Sequence, residues 1–402
     1  MWFLFYVVGG LMLESLYLLT LILVLFILKS HPTSLIFVFL INFLTGFTSV
    51  ITSFINYELV SFDNEIVIQL LLVLNFSITI LHVISLLLKK RSVSIIYRLR
   101  KYKYSKLVLY FFSLFAILVV YQNVSLGFEV LSNGYIAGYK SASEQVIKAT
   151  SLFPFLLIFY FLIFSKYLND KKVYYLIIML VVVISYSMYG SRSFFIYSFI
   201  SIMAFLLVLK KVTYKKCFSL SIMLLPMIVI AGALREGGAS EGGSILLRMA
   251  IELANIPMII SNLDIISNLD QSLLMVILTT LPQSIIVPLG AEPLNSLATE
   301  FAVAYDPGWA EAGGGFGFSF VGEIYYRFGY VGLVFIPFLV IILLNKLEGK
   351  FIQGDDFDKA LILTGYYGIL MWVRGDFIEI SRLLLIVLFF YYSKRLAYRN
   401  GK

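Results

Sequence analysis

Residues 173–189 read VYYLIIMLVVVISYSMY, an apolar run without a charged side chain. Lys172 stands immediately before the run, and Arg192 follows it within a few residues. At a rise of about 1.5 Å per residue, a helix of this length nearly spans the hydrocarbon core of a bilayer, which is about 30 Å thick. The stretch therefore predicts a membrane-crossing helix with charge at both ends.

Comparable runs fill most of the chain. Of its 402 residues, 60% are hydrophobic and 13% are charged, whereas a soluble domain carries about 25% charged residues. This composition predicts an all-α, polytopic integral membrane protein, with about eleven transmembrane helices at roughly 20 residues per span. We expect these helices near residues 8–28, 34–56, 65–88, 107–126, 147–165, 173–189, 193–209, 217–234, 329–346, 359–373 and 378–393.

The positive charge is sorted along the chain. Most of the 31 Lys and Arg residues lie in short polar segments, at Lys29, 89–106, 166–172, 210–216, 346–359 and 394–402. Because cytoplasmic loops of membrane proteins are enriched in Lys and Arg, we expect these segments and the C-terminus to be cytoplasmic. The sorting also accounts for the net charge of +8 without a nucleic-acid partner.

The basic residues expected on the outer side are mostly arginine. Arg192, Arg235, Arg327, Arg374 and Arg382 recur at the outer ends of predicted helices. An orientation signal needs only positive charge, whereas the guanidinium of arginine is a rigid fork of donors that matches phosphate and carboxylate. The set predicts an anion-binding surface, although any single arginine also fits a structural ion pair or a side chain that reaches to the lipid headgroups.

One predicted outer loop, residues 235–328, is much longer than the others. We treat residues 1–402 as a single membrane domain with this loop inserted between two helices. Glycines cluster near both ends of the loop, at 237–243 and 313–317, and suggest hinges around a structured middle. The second cluster also fits a backbone nest for a phosphate group.

Acidic residues accompany two of the outer arginines. Glu323 and Arg327 are four residues apart, so they can pair on one face of a helix. Asp376 and Glu379 follow Arg374 between the last two predicted helices. A functional site and simple charge neutralisation both fit this pattern.

The chain offers little for metal or thiol chemistry. His31 and His82, its two histidines, are too far apart in sequence for a recognisable metal-binding motif. Cys217 is the single cysteine, which excludes an intramolecular disulfide. We therefore expect neither a metal site nor a cofactor.

Four short motifs stand at the outer ends of predicted helices: Gly-Ser-Arg at 190–192, Leu-Arg-Glu at 234–236, GEIYYRFG at 322–329 and WVRGD at 372–376. These motifs resemble those of the Wzy-type oligosaccharide repeat-unit polymerases, which make O-antigen and capsule. The resemblance extends over residues 100–400, chiefly through the arrangement of helices. Some members have arginine followed by glycine eleven positions later in two outer loops, a spacing that none of the outer arginines here shows.

The resemblance implies a membrane glycosyltransferase of the bacterial inner membrane with a GT-C-like architecture. It would join repeat units carried on undecaprenyl pyrophosphate at the outer leaflet, without a nucleotide sugar, a metal or another cofactor. The implied partners are the lipid-linked glycan substrates, the membrane lipid, and a flippase and a chain-length regulator of the same pathway. The product would be O-antigen, capsule or a related glycan.

Under this resemblance the site residues fall into three groups. The pyrophosphate would be bound by Arg192, Arg235, Arg327, Arg374 and Arg382. The base for the acceptor hydroxyl would be a carboxylate, a tyrosine or a substrate group, with the carboxylate candidates in the order Glu323, Asp376, Glu379 and Glu236. The sugar or the lipid groove would be lined by Tyr189, Tyr325 and Tyr326, which also fit an aromatic belt at the membrane interface.

Three alternatives remain open at the level of sequence. A flippase for lipid-linked oligosaccharides would also bind pyrophosphate, but its basic residues should lie along the midplane of several helices. An O-antigen ligase would share the architecture, and some ligases are thought to use an outer histidine that this chain lacks. A non-enzymatic partner in an assembly complex is the third alternative.

Overall fold

The computed structural model describes residues 31–41, 73, 105–133, 152–188, 192–221, 258–266, 276, 295–311 and 317–400. Every regular element in these ranges is helical, as the all-α prediction requires. The labelled helices are α1 (Ser105–Asn133), α2 (Phe153–Asp170), α3 (Val173–Met188), α4 (Arg192–Val208), α5 (Leu297–Tyr305), α6 (Phe320–Gln353), α7 (Asp356–Trp372) and α8 (Phe377–Asn400). Shorter helical segments lie at Pro32–Ile41, 214–221, 258–261, Leu263–Ile266 and Pro307–Glu311.

Helices that could cross a membrane are present in the described part of the chain. Lys106–Val130, Phe153–Asp170 and Phe320–Gln353 are long and apolar enough to span a bilayer. Helix α3, which contains the opening run up to Met188, is apolar but shorter, as are Pro32–Ile41 and Ser193–Val208. The predicted helices at 8–28, 34–56, 65–88 and 217–234 lie wholly or mostly outside the described residues. The number of spans stays a prediction.

Several helices begin or end away from their predicted bounds. Helix α2 begins at Phe153 rather than near 147, with Pro154 in its first turn, where a missing N–H costs nothing. Helix α6 has a short first segment from Phe320 and a kink at Gly329, so its longer segment begins where the span was predicted to begin, whereas α8 continues past 393 to Asn400. Hydropathy marks only the part of a helix suited to lipid, whereas the backbone hydrogen bonds continue through its polar ends.

Helix α7 lies at the centre of the described bundle and packs against α2, α4, α6 and α8. Its aromatic residues Tyr366 and Tyr367 are almost fully buried. At Gly368 a Cβ would lie 2.9 Å from Leu383 Cδ2 of α8. The absence of a side chain at this position therefore lets α7 and α8 approach closely, which fixes the geometry of the turn between them.

The N-terminus of α7 is held by a network of charged side chains. Asp355 caps the helix by accepting hydrogen bonds from the backbone N–H groups of Phe357 and Asp358, each at 3.0 Å. Lys394 of α8 binds Asp355 at 2.5 Å and Asp358 at 2.6 Å. These contacts fix the start of α7 against the C-terminal part of α8.

Further lysines gather around the same network, and we call this end of the bundle the basic end. Lys211 follows α4 and interacts with Lys171, which follows α2, and with Lys359 of α7. Partial burial and these two positive charges lower the pKa of Lys211. The lysine-rich segments that we predict to share one side of the membrane thus meet in the fold where they are described. They are residues 166–172, 210–216, 346–359 and 394–402.

Apolar side chains cover much of the outward-facing surface of the bundle. Exposed apolar residues on α1 and α6 include Leu107, Tyr110, Ile117, Tyr121, Val331 and Phe335. Apolar side chains exposed in this number suit contact with lipid rather than with water.

Candidate functional site

The candidate site lies at the end of α7 opposite the basic end, around the carboxylate of Glu323. Ser319 caps α6 by accepting a hydrogen bond from the backbone N–H of Gly322 at 2.9 Å, which places Glu323 in the first turn of the helix. The side chain of Glu323 is only 1% exposed. A carboxylate this deeply buried requires donors that compensate for the water it has lost.

Three donors supply that compensation. Arg327 Nε donates to Glu323 Oε1 at 2.8 Å, which confirms the ion pair predicted from the spacing of the two residues. Glu323 Oε2 accepts from Trp372 Nε1 at 2.8 Å and from the backbone N–H of Phe377 at 2.7 Å. One carboxylate thus joins the start of α6 to the end of α7 and the start of α8.

The turn between α7 and α8, residues 373–376, carries Arg374 at the surface. The Val373 carbonyl accepts a hydrogen bond from the backbone N–H of Phe320 at 3.4 Å. Gly317 packs against the same turn with a φ of 66°, and a Cβ there would lie 3.4 Å from the Arg374 carbonyl oxygen. The last glycine of the 313–317 cluster therefore sits against Arg374, while the rest of that cluster lies outside the described residues.

Asp376 ends this turn and is 1% exposed. Its Oδ2 accepts a hydrogen bond from the backbone N–H of Ala298 at 3.3 Å, in the first turn of α5. A carboxylate at a helix N-terminus is stabilised by the exposed N–H groups and the helix dipole. We call residues 235–319, as far as they are described, the outer segment after their predicted location. Asp376 connects this segment to the turn.

A second contact attaches the outer segment to α6. The Tyr326 hydroxyl donates to the Ile266 carbonyl at 2.9 Å. Apolar residues of the outer segment form a small core of their own, against which Tyr325 and Tyr326 pack. Its buried members are Met258, Ile259, Leu263, Ile266, Leu297, Phe301 and Phe318. The described residues of this segment thus pack together, whereas the long loop itself stays a prediction.

Arg374 also lies near α4. Its guanidinium interacts electrostatically with Tyr197, which is little more than one helical turn after Arg192. Arg192 is the first residue of α4. Arg382 lies on α8 with its side chain exposed.

The structure therefore brings together some of the predicted residues but not all of them. Glu323, Arg327, Arg374 and Asp376 lie around one turn, with Tyr325 and Tyr326 on the adjacent face of α6. For Arg192 and Glu379 the structure gives only the backbone position, at the starts of α4 and α8. Tyr189, Arg235 and Glu236 lie outside the described residues.

Sequence reasoning missed three participants in this arrangement. Trp372 belongs to the WVRGD motif, but nothing in the motif predicts that its indole binds Glu323. The backbone N–H groups of Phe377 and Ala298 carry no side-chain signal at all. Only the packing of α5, α6, α7 and α8 brings these donors to the two carboxylates.

The arrangement has the chemistry of an anion site with acidic neighbours. A guanidinium offers paired N–H donors that match phosphate oxygens. The Arg327 side chain is only 6% exposed, whereas Arg374 is exposed. A substrate arriving from outside the bundle would therefore meet Arg374 first. Among the described residues, no three His, Cys, Asp or Glu side chains group as ligands for a metal ion.

Comparison with known protein families gives a match over almost the whole chain. The family model described as O-antigen polysaccharide polymerase Wzy matches residues 1–399, almost the whole chain. No curated protein and no solved structure matches.

Proposed function

The chain belongs to the O-antigen polysaccharide polymerase Wzy family, whose members are membrane-bound enzymes that polymerise polysaccharide repeat units, and we propose from this premise what its own reaction is. It joins repeat units carried on undecaprenyl pyrophosphate at the outer face of the bacterial inner membrane. The observation that carries the proposal is the placing of Arg327 and Arg374 around one turn, at the end of α7 opposite the basic end.

The proposed reaction is a glycosyl transfer between two lipid-linked glycans. The acceptor hydroxyl oxygen attacks the anomeric carbon of the growing chain, and the bond from that carbon to the pyrophosphate oxygen breaks. The electron pair of the broken bond leaves with the lipid pyrophosphate, and the hydroxyl proton passes to a base. Negative charge on the leaving group increases along this path, so donors placed in advance stabilise the transition state.

Arg374 and Arg327 are the proposed donors, with Arg192, Arg235 and Arg382 as further candidates. In this proposal the guanidinium groups stabilise the leaving pyrophosphate without a metal ion or another cofactor. The exposed Arg374 contacts the pyrophosphate directly, while Arg327 contributes its charge from a less exposed position beside Glu323.

The base is proposed among the carboxylates of the same region. Glu323 lies in the first turn of α6, Asp376 in the turn 373–376 and Glu379 at the start of α8. A base must come within hydrogen-bonding reach of the acceptor hydroxyl. Tyr325 and Tyr326, and Tyr189 on the sequence pattern alone, are proposed to contact sugar rings or the lipid chain.

The orientation and the surroundings of the enzyme are part of the proposal. The basic end would face the cytoplasm, because short cytoplasmic loops are enriched in Lys and Arg. The candidate site and the outer segment would then face the periplasm. A flippase would supply lipid-linked repeat units on that side, and a chain-length regulator would act on the same enzyme. A GT-C-like architecture is proposed on the same basis.

Deletion of the gene with complementation tests the function. We expect the deletion to leave lipid core bearing a single repeat unit and the wild-type copy to restore a ladder of longer chains, both read from the surface glycan on a gel. If no repeat unit reaches the surface in the deletion, a flippase or a ligase replaces the polymerase, and the role of the outer arginines in glycosyl transfer is withdrawn.

A further inference from the structure

The hydrogen bonds of Glu323 come from three separate parts of the chain. Arg327 belongs to the same helix, Trp372 ends α7, and Phe377 begins α8. All three donor–acceptor distances lie between 2.7 and 2.8 Å, within the range of charge-assisted hydrogen bonds. An ionised carboxylate has about four acceptor sites, so most of the accepting capacity of Glu323 is already used.

Aromatic rings close the space around this carboxylate. The Trp372 ring lies against Phe320 with centroids 4.7 Å apart and against Phe377 with centroids 5.0 Å apart. The Glu323 side chain beneath them is 1% exposed. A sugar hydroxyl would have to displace these rings, or one of the three donors, before it could pass its proton to Glu323.

The same bonds hold two arginines in fixed positions. Binding through Nε fixes the plane of the Arg327 guanidinium. Oε2 binds Trp372 and Phe377, which stand on either side of the turn 373–376, so a single oxygen spans the segment that carries Arg374. Loss of either bond would remove one of the contacts that fix Arg374 relative to Arg327.

We infer that Glu323 is a positioning residue, which holds Arg327 and the Arg374 turn in one arrangement for the pyrophosphate, and that another group accepts the proton. The inference rests on the proposed function and reverses the first choice of base that the sequence suggests. It leaves Asp376, Glu379 and Glu236 as the carboxylate candidates for the base.

Trp372→Phe separates the two roles. The substitution keeps an aromatic ring and leaves Glu323 chemically able to act as a base, but it removes one donor that fixes the turn. With purified enzyme and lipid-linked repeat units extracted from the deletion strain, we expect KM to rise about tenfold, as loss of one hydrogen bond to a charged group predicts. Inhibition by inorganic pyrophosphate should weaken by a similar factor, and the shape of the pH–rate profile should stay the same.

Tyr391→Phe is the matched control. It also removes one hydrogen-bond partner of a charged side chain, because the Tyr391 hydroxyl accepts from Lys350 Nζ at 3.1 Å. This contact lies near the basic end. Its KM and its inhibition by pyrophosphate should equal those of the wild type. Equal melting temperatures of the purified variants establish that both are folded.

Glu323→Gln gives the second test. The amide places an N–H₂ group among three donors, so at least one contact is lost. A positioning role predicts weaker inhibition by pyrophosphate and no further effect of Trp372→Phe in the Glu323→Gln background. If Glu323 is instead the base, Glu323→Gln should lose kcat and the acidic limb of the pH profile, and its inhibition by pyrophosphate should be unchanged. If Glu323→Gln does not fold, Trp372→Phe alone decides.

The outcomes separate the two proposals. If the wild-type enzyme does not lengthen the extracted substrate, the proposed function fails whatever the variants do. If the wild type is active, unchanged KM and unchanged pyrophosphate inhibition in Trp372→Phe overturn the positioning role of Glu323.

Discussion

Arg327 and Arg374 reach the candidate site by different routes. Arg327 meets Glu323 because residues four apart share a helical face, so the contact is local in sequence. Arg374 reaches the same region because the turn 373–376 brings the end of α7 against the start of α6. One arginine is buried and paired, and the other is exposed. Their substitutions therefore have different consequences.

Arg374→Ala removes the guanidinium of a residue that is exposed at the surface. If Arg374 binds the leaving pyrophosphate, kcat/KM should fall about 10–100-fold, the effect of losing about 1.5–3 kcal/mol from a charge-assisted hydrogen bond. The kcat/KM of Arg374→Lys should lie between those of Arg374→Ala and the wild type, because lysine keeps the charge but not the fork of donors. The rates are measured on lipid-linked repeat units extracted from the deletion strain.

Arg395→Ala is the control for this prediction. Arg395 is exposed, as Arg374 is, but it lies on α8 near the basic end. It stacks on Tyr391, with its guanidinium carbon 5.4 Å from the ring centroid. Its rate should equal that of the wild type. An Arg374→Ala enzyme with the wild-type rate would remove Arg374 from the site. Arg327→Ala is a poorer probe, since an unpaired buried Glu323 costs about 3–5 kcal/mol of folding free energy.

At the scale of elements, α6 contains a kink that separates its two functions. Gly329 has φ 59° and ψ −154° inside the helix, a backbone conformation that is essentially restricted to glycine. The short segment before it carries Glu323 and Arg327, and the longer segment after it is the apolar membrane-crossing part. The kink therefore lets the site-bearing segment take a direction of its own.

Gly329→Ala should destabilise the protein by about 1–3 kcal/mol, because a Cβ disfavours this conformation even where space is open. Apart from its chain neighbours and the adjacent helix backbone, no described atom lies within 4 Å of a Cβ built at Gly329, so the cost comes from the backbone conformation. Thermal unfolding of the purified protein measures the loss of stability. The length of the glycan ladder measures the effect of the substitution on polymerisation.

Gly349→Ala serves as the matched variant in the same helix. A Cβ at Gly349 also meets no atom within 4 Å, and its φ is not positive. Alanine should therefore stabilise α6 there by about 0.5–1 kcal/mol. Equal melting temperatures for the two variants would show that the kink imposes no requirement for glycine.

At the scale of the whole molecule, α7 connects two chemically different ends. It begins at the basic end, where Lys394 binds Asp355 and Asp358. It ends at Trp372, beside the carboxylate of Glu323. If the basic end faces the cytoplasm, the central helix carries the chain directly from the inner surface to the site on the outer surface.

Thiol labelling tests this orientation. In a Cys217→Ser background, Glu311→Cys and Lys172→Cys place single thiols at exposed positions on the outer segment and at the basic end. A membrane-impermeant maleimide should modify Glu311→Cys in spheroplasts and should modify Lys172→Cys only after the membrane is permeabilised. The reverse pattern would place the candidate site in the cytoplasm.

The sequence by itself determined the features that depend on local composition and spacing. Apolar runs such as 173–189 predict the all-α membrane class, and the spacing of Glu323 and Arg327 predicts their ion pair. The lysine-rich segments predict which parts of the chain gather at the basic end. The membrane class and the ion pair depend on residues that are near one another in sequence. The gathering of the lysine-rich segments follows from the enrichment of Lys and Arg in cytoplasmic loops, which applies to each loop separately.

Only the tertiary structure decided what else Glu323 and Asp376 bind. The indole of Trp372 and the backbone N–H groups of Phe377 and Ala298 reach the two carboxylates from other helices. Backbone donors are the same in every residue except proline, so no sequence pattern distinguishes the two that are used. Their positions follow from how closely α5, α6, α7 and α8 pack, and that packing depends on contacts between distant parts of the chain.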